Sequence, residues 1–368
     1  MRLPRPKMDL HLFTAALILL ALGLIFAYSV SYPHAIRFVS TGDPAYYLKR
    51  QLLFAAIGLV ALVALMYIPL KLWKSAPMMT WILIVTLALL LGVLFAGVNY
   101  GRQAKRWLCL WGFCFQPSEI AKITVVLYTA RFLAAAGERI RHLIRGLLPL
   151  LLVVGMILLL IYKEPHLGAT VVIAVTFLVL LFVGGARLRH LIGLMIMGAG
   201  GLFYSIFTSP YQMRRLMAWI DPLTYPLTAG YQIIHARTAL ARGGWSGVGW
   251  GRSIEKFFYL PECLSDSLLA VVGEEIGFLG LSFILLTFLF IAWRGLRLAE
   301  RAKDDFSRYT AVGLSTTLFF QALLNYLVNT NLVPQTGVGL PFFSIGGSAL
   351  VCFLASIGLL LNISRQVS

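Results

Sequence analysis

Ten long, predominantly apolar segments dominate the sequence and constrain its fold more than any other feature. A membrane-spanning α-helix needs about 20 such residues. Hydrophobicity runs continuously along each segment instead of alternating from residue to residue, which excludes a membrane β-barrel. The segments cover residues 10–31, 51–68, 77–98, 120–136, 146–162, 168–183, 188–207, 268–293, 309–328 and 342–363.

The chain is therefore predicted to be an all-α integral membrane protein, a single polytopic domain of ten transmembrane helices over residues 1–368. The first segment is too long, and too poor in small residues at its end, to be a cleaved signal peptide. A polar stretch at about 209–266, between helices seven and eight, is predicted to be a structured outer loop. Within it, residues 231–237 favour a short helix, and the glycine-rich run 243–251 allows close backbone approach.

The distribution of basic residues predicts the orientation of the chain. An even number of spans puts both termini on one side, and the loops on that side hold the larger share of the 31 Lys and Arg residues. Both termini are therefore predicted to be cytoplasmic. This bias and anionic lipid account for the net charge of +17. No basic run carries a nucleic-acid motif, so nucleic acid is not an expected partner.

The four cysteines show no metal-binding spacing. Cys109, Cys114 and Cys263 fall on the predicted outer side, where a disulfide could form. We expect unpaired cysteines here, with one disulfide among these three as the alternative.

Asp266 is the first candidate catalytic residue, because it ends the polar loop directly before an apolar run. Several cations precede it in the loop, among them Arg215 and Lys256. A carboxylate and cations at the mouth of a membrane domain are typical of a site for an anionic, membrane-delivered substrate. The alternative is that Asp266 only caps a helix N-terminus.

A second candidate site combines a short basic outer loop with an ion pair that enters a span. Arg102 and Arg106 lie in this loop, and Trp107 offers an apolar face to a sugar. Glu119 and Lys122 are three residues apart, so they are expected to pair on one helix face. An ionisable pair in a span normally faces a cavity or a partner. A purely structural ion pair between helices is the alternative.

Two further carboxylates, Glu274 and Glu275, lie inside the span that follows Asp266. Eight residues of helix place Glu274 about 12 Å deeper than Asp266 and on another face, so the two are not expected to form a tight pair. Both glutamates are expected to have buried polar partners, since an isolated charge inside a membrane is costly.

Together these segments resemble the SEDS family (shape, elongation, division and sporulation), the RodA/FtsW-type peptidoglycan polymerases. The resemblance covers nearly the whole chain, and its opening span and Lys256 segment are closer to the division-type FtsW/SpoVE branch. It is carried by residues 23–31, 116–119 with Lys122, 230–232, 260–262 with Asp266, 274–277, 340–342 and 346–348.

The resemblance implies ten transmembrane helices and polymerisation of lipid II, a disaccharide-pentapeptide on undecaprenyl diphosphate. It implies Asp266 as the catalytic residue and a class B penicillin-binding protein, a transpeptidase, as partner, together with other divisome or elongasome proteins in the bacterial inner membrane. The hypothesis is an inverting glycosyl transfer with Asp266 as general base, helped by cations and by a divalent ion such as Mg²⁺ or Mn²⁺. The expected substrate-binding residues are Arg102, Arg106, Trp107, Glu119, Lys122, Arg215 and Lys256.

One departure from the family pattern is His166, which stands where the family usually has Asp. Two other functions stay open at this point. A transporter that flips the same lipid-linked precursor would line a path through the membrane with cations, but only Lys122 lies well inside a span. A scaffold whose activity resides in its partner would need only intact spans and a partner surface.

Overall fold

The computed structural model describes residues 8–39, 42–98, 106–110, 113–228 and 230–367. Within these ranges the chain is almost entirely helical. The helices are α1 (Leu10–Phe38), α2 (Tyr46–Tyr67), α3 (Leu70–Lys74), α4 (Ala76–Ala96), α5 (Pro117–Ala136), α6 (Leu148–Lys163), α7 (Leu167–Val183), α8 (Leu188–Thr208), α9 (Pro210–Ile220), α10 (Tyr231–Gly243), α11 (Leu268–Arg301), α12 (Asp305–Asn329) and α13 (Gly347–Val367). Short 3-10 and π turns, Gly137–Arg141 and Leu143–Leu147, join α5 to α6.

Every predicted span coincides with a helix, which confirms the all-α membrane fold. In the described part of the chain, nine helical segments are long and apolar enough to cross a membrane. The one remaining predicted span, residues 168–183, corresponds to α7. This helix has 17 residues, at the lower limit of about 17–25 for a span. The last helix begins at Gly347 and not at 342, because the chain turns at Phe342 with φ of 67°.

The core lies around α12 and α13, while α8 lies at the edge of the bundle. In the spanning window of α13, 78% of the residues are buried, against 11% for α8. The Asn362 side-chain amide of α13 donates to the carbonyls of Leu65 and Ile68 at the end of α2, 2.7 and 2.6 Å away. Most of the surface of α8 therefore faces the membrane environment.

The outer loop is structured, as predicted, and it is joined to a break in α11. Gly277 interrupts this helix with φ of 66°. The glycine-rich run supplies backbone partners there: Val248 N–H donates to the Glu274 carbonyl at 3.0 Å, and Gly249 N–H to that of Glu275 at 3.1 Å. A side chain at Gly247 would collide with the Glu275 backbone. The predicted close backbone approach is confirmed.

A small β-hairpin stands between α4 and α5, and it corrects the expectation of unpaired cysteines. Its strands are β1 (Leu108–Leu110) and β2 (Phe113–Phe115), paired antiparallel. The register puts Cys109 opposite Cys114, with Cα atoms 4.0 Å apart, and the two form a disulfide. The expectation was wrong because the spacing of the cysteines along the chain does not reveal the hairpin that brings Cys109 and Cys114 together.

Candidate functional site

Two cavities meet at Asp266. The first has a volume of about 510 Å³ and lies under the outer loop, between α9, α10 and the end of α12. The second, of about 270 Å³, lies between the hairpin, α5 and the turn before α13. Four residues line both cavities: Arg106, Glu262, Asp266 and Gly337. The carboxylate that the sequence singled out therefore lies at the junction of two chambers.

The backbone around Asp266 is fixed from two sides. Its carbonyl accepts from the side-chain amides of Asn325 and Asn329 on α12, both at 3.0 Å. The preceding carbonyl, of Ser265, accepts from the Ser344 hydroxyl at 2.9 Å. Helix α11 begins only at Leu268, and its N-cap position is Ser267. Asp266 is thus not the N-cap of α11.

Arg106 lies between the cavities and is buried. Its guanidinium donates to the backbone carbonyls of Glu164 and Pro165, the former from Nε at 3.3 Å. The Glu164 carboxylate is also buried, and neither of its oxygens has a hydrogen-bond partner among the described residues. Burial raises the pKa of Glu164 to about 8, with the Arg106 charge opposing the shift.

Arg215 adds a second cation to the first cavity. Its guanidinium donates to the Gln335 carbonyl at 3.1 Å and stacks on the Tyr211 ring, 4.6 Å from the centroid. Both Arg215 and Tyr211 are on α9, a helix that the Ser209 hydroxyl caps. The first cavity therefore joins fixed positive charge to a carboxylate.

Glu119 and Lys122 form the predicted ion pair, at 2.8 Å, and both side chains are buried. The Lys122 ammonium also donates to the Gln321 side chain at 2.5 Å. Both members of the pair line the second cavity, as does Trp107. Through Gln321 the pair joins α5 to α12, and it also lines the cavity. The two interpretations of the sequence, an ion pair between helices and a polar cavity wall, therefore both apply to this contact.

Lys256 is not part of either cavity lining. Its buried ammonium binds the Glu275 carboxylate at 2.9 Å, the Ser29 hydroxyl at 3.0 Å and the Gly251 carbonyl at 2.7 Å. Its substrate-binding role stays a prediction that this placement does not support. Arg102 lies outside the described residues.

The glutamates after Asp266 have the polar partners that the sequence predicted. Glu274 accepts from the Ser253 hydroxyl at 2.5 Å and from the Ile254 backbone N–H at 3.2 Å. Glu275 pairs with Lys256, as described above. We call Ser29, Ser253, Lys256, Glu274 and Glu275 the sealed cluster, because all five are buried.

The donor set for a divalent metal is small. Among the residues that the structure describes, no three His, Cys, Asp or Glu side chains are grouped so that they could hold a metal ion. Asp266 and Glu262 do line the same two cavities. One or two carboxylates are what Mg²⁺ takes from a protein when substrate phosphates supply further ligands. The residues therefore fit an ion shared with a substrate and do not fit an all-protein metal site.

Comparison with known proteins decides the family. The FtsW/RodA/SpoVE family model, described as "Cell cycle protein", matches residues 9–368. The chain belongs to the FtsW/RodA/SpoVE family. It is 38% identical over 362 residues to stage V sporulation protein E of Bacillus subtilis, covering 97% of both chains. It is 36% identical over 363 residues to a Geobacter sp. protein named probable peptidoglycan glycosyltransferase FtsW, covering 98% of this chain and 97% of the other.

Solved structures agree with this family assignment. A chain of a peptidoglycan synthase complex, solved in work on the structural coordination of polymerization and crosslinking, matches with a TM-score of 0.79 at 26% identity. The match covers 98% of both chains. Both the predicted family and the predicted fold are thus confirmed, and the relatives carry the names of the SpoVE and FtsW branch.

His166 lies in the second cavity. Its Nδ1 is 3.1 Å from the Gln116 side-chain amide and 3.3 Å from the Ser118 hydroxyl. The histidine is therefore held at the start of α5, in the cavity that Glu119 also lines.

Several cavity residues of this family member were missed by sequence reasoning. Glu262 lines both cavities with φ of 55°, yet it was noted only as part of a motif. Gln321 and Asn329 lie on α12, line the cavities, and contact Lys122 and the Asp266 backbone. The signal that could have found these two is an amide side chain in a predicted span or directly after it, which must face polar groups.

Proposed function

We propose that this protein is a peptidoglycan glycosyltransferase that polymerises lipid II. The observation that carries the proposal is the place of Asp266 at the junction of two cavities, beside Arg106. A glycosyl transfer between two lipid-linked substrates needs room for both reactants and one group that touches the bond being formed. The relative named probable peptidoglycan glycosyltransferase supports the same activity.

In the proposed reaction, the 4-hydroxyl of the acceptor sugar attacks the anomeric carbon of the donor glycan. Asp266 takes the hydroxyl proton as the new C–O bond forms, and the bond between the anomeric carbon and the diphosphate oxygen breaks. Attack opposite to the leaving group inverts the anomeric centre. General base catalysis of this kind contributes about 10²–10⁴-fold.

The leaving diphosphate carries negative charge that fixed cations stabilise. Arg106 and Arg215 line the first cavity with Asp266 and are the residues placed to do this. A Mg²⁺ or Mn²⁺ ion held by Asp266 or Glu262 would neutralise further diphosphate charge. Trp107 and the Glu119–Lys122 pair line the second cavity, where they bind the other sugar-bearing substrate.

The proposal places the protein in the bacterial cytoplasmic membrane, with both termini cytoplasmic and the cavities on the outer face. A class B penicillin-binding protein is the proposed partner, and a role at the division septum follows from the likeness to the FtsW and SpoVE branch. The similar chain from a peptidoglycan synthase complex supports the partner. Cross-linking the chain to this transpeptidase in native membranes tests it.

Purified protein supplied with labelled lipid II tests the activity directly. We expect glycan chains from the unaltered protein and none from Asp266→Asn. The matched control is Asp221→Asn, which changes an exposed carboxylate on the same loop outside both cavities. In liposomes, movement of inward-facing lipid II to the outer leaflet without any product chains would contradict the proposal and support a transporter.

A further inference from the structure

The hairpin between α4 and α5 is covalently closed. Its strands are only three residues long, and the Cys109–Cys114 disulfide joins them across the antiparallel register. A two-stranded sheet of this kind is at best marginally stable in water. The disulfide is therefore the strongest link between β1 and β2 among their described residues.

Each strand is attached to a different part of the candidate site. Arg106 and Trp107 directly precede β1, and Gln116 directly follows β2. The Gln116 backbone N–H donates to the Ser348 hydroxyl at 3.1 Å, which anchors β2 to the start of α13. The hairpin thus has one strand fixed to the cavity wall and another that leads to two predicted substrate-binding residues.

Cys114 itself lines the second cavity, together with Trp107 and Gln116. The disulfide is therefore part of the wall of the second cavity. Both cysteines are partly exposed, so a small reductant can reach the bond.

We propose that the Cys109–Cys114 disulfide is a positioning element of the site: it holds Arg106 and Trp107 at the cavities, and its reduction weakens substrate binding. The proposal rests on the proposed function for the identity of the substrate. Asp266 is fixed separately, by α12 and Ser344. Opening the hairpin therefore leaves the base in place and removes one support of Arg106 and Trp107, beside their hydrogen bonds with Glu164, Pro165 and Val98.

The short loop closed by this bond points to a local effect. The two cysteines are separated by five positions, and a disulfide that closes so short a loop restricts the unfolded chain less than one that closes a long loop. Global stability therefore depends little on the bond, whereas the geometry of the hairpin depends on it directly.

The redox step is simple. A dithiol reductant gives two electrons and two protons to the S–S bond, which leaves two thiols on the protein and one cyclic disulfide on the reagent. Burial raises the pKa of the Cys263 thiol to about 12. A thiol of that pKa hardly forms the thiolate that exchange needs, so Cys263 does not scramble the pair.

The test is a comparison of oxidised and reduced full-length protein, each supplied with lipid II. With dithiothreitol we expect KM to rise about tenfold, as the loss of one charge-assisted contact would cause. We expect kcat to stay within about twofold, since the base is unchanged. Removing the reductant and reoxidising the protein restores the original KM.

Two variants control the experiment. Cys109→Ala/Cys114→Ala shows the raised KM from the outset and no response to dithiothreitol. Cys263→Ala/Cys352→Ala keeps the disulfide and responds as the unaltered protein does. Should dithiothreitol leave KM unchanged, or change it equally in the variant that lacks the disulfide, the positioning role is wrong.

Binding separates this inference from the proposed function. Lipid II binding is measured by thermal shift on Asp266→Asn, which cannot turn over. Binding that weakens on reduction supports the inference. Binding that reduction does not alter overturns the inference alone, and lipid II that binds neither form overturns the proposed function with it.

Discussion

Asp266 and the glutamates that follow it in sequence have opposite surroundings. Asp266 lines two cavities, whereas Glu274 and Glu275 are buried and hydrogen-bonded within the sealed cluster. Asp266 lies two residues before the start of α11, whereas Glu274 and Glu275 lie within that helix. The comparison teaches that the partners of a charged residue in a membrane domain show whether it lines a chamber, supports the fold or, like the Glu119–Lys122 pair, does both.

The largest expected effect is the loss of activity in Asp266→Ala. A missing general base should lower kcat by about 10²–10⁴-fold, while the midpoint of thermal unfolding stays close to that of the unaltered protein. Lipid II polymerisation and thermal unfolding of the same preparation measure both quantities. Retained polymerisation would break the comparison, because Asp266 would then have no more of a role in the reaction than the sealed glutamates.

Lys256→Ala should lower the stability of the protein more than its activity. It leaves Glu275 buried without its ion-pair partner, a change that typically destabilises a protein by about 3–5 kcal/mol. Thermal unfolding in detergent measures the loss, and Lys256→Met/Glu275→Leu should recover much of it because no unpaired charge remains. A large fall in activity at unchanged stability would instead support the substrate role that the sequence predicted for Lys256.

Arg215→Gln tests the cavity side of the comparison with a smaller expected effect. Loss of a charge-assisted hydrogen bond costs about 1.5–3 kcal/mol, so KM for lipid II should rise at least about tenfold. Arg214→Gln is the matched control, since Arg214 is the adjacent residue on α9, is exposed and lines neither cavity. Equal effects of the two variants would mean that only the general charge of α9 matters.

Glu164 gives a dependence on pH, whose effect for a change of one pH unit is the smallest of the four. Its pKa in the folded protein is raised from 4.5 to about 8, so the folded state holds a proton that the unfolded chain releases. The contribution of the Glu164 proton to the free energy of unfolding is fully present below pH 4.5. It falls by about 1.4 kcal/mol per pH unit as the pH rises towards 8. Thermal unfolding across this range should show the slope, and Glu164→Gln should remove it. An identical slope in the variant would assign the titration to another group.

The spans, and Asp266 as a carboxylate that lines the cavities, could be predicted from sequence because their signals are local. A run of apolar residues identifies a helix without reference to the rest of the chain, and Asp266 stands where such a run begins. The Glu119–Lys122 pair was predictable for the same reason, since helix geometry alone brings residues three apart together.

The remaining features depend on contacts between distant segments. The position of Lys256 before Asp266 in the loop predicts a substrate-binding role. In the structure its ammonium binds Ser29 of α1 and Glu275 of α11, outside both cavities. The two chambers exist only once α12, the outer loop and the hairpin are assembled. No spacing in the sequence shows such an arrangement.

The break in α11 has a consequence for genetic screens of this protein. Gly243, Gly247 and Gly277 lie where backbones touch, and any side chain there would collide with a neighbouring main chain. Substitutions at these sites would abolish activity as completely as substitution of Asp266 is expected to, although none of the three glycines lines either chamber. A map of intolerant positions would therefore mix architecture with chemistry, and protein abundance in the membrane would have to be measured beside activity to separate them.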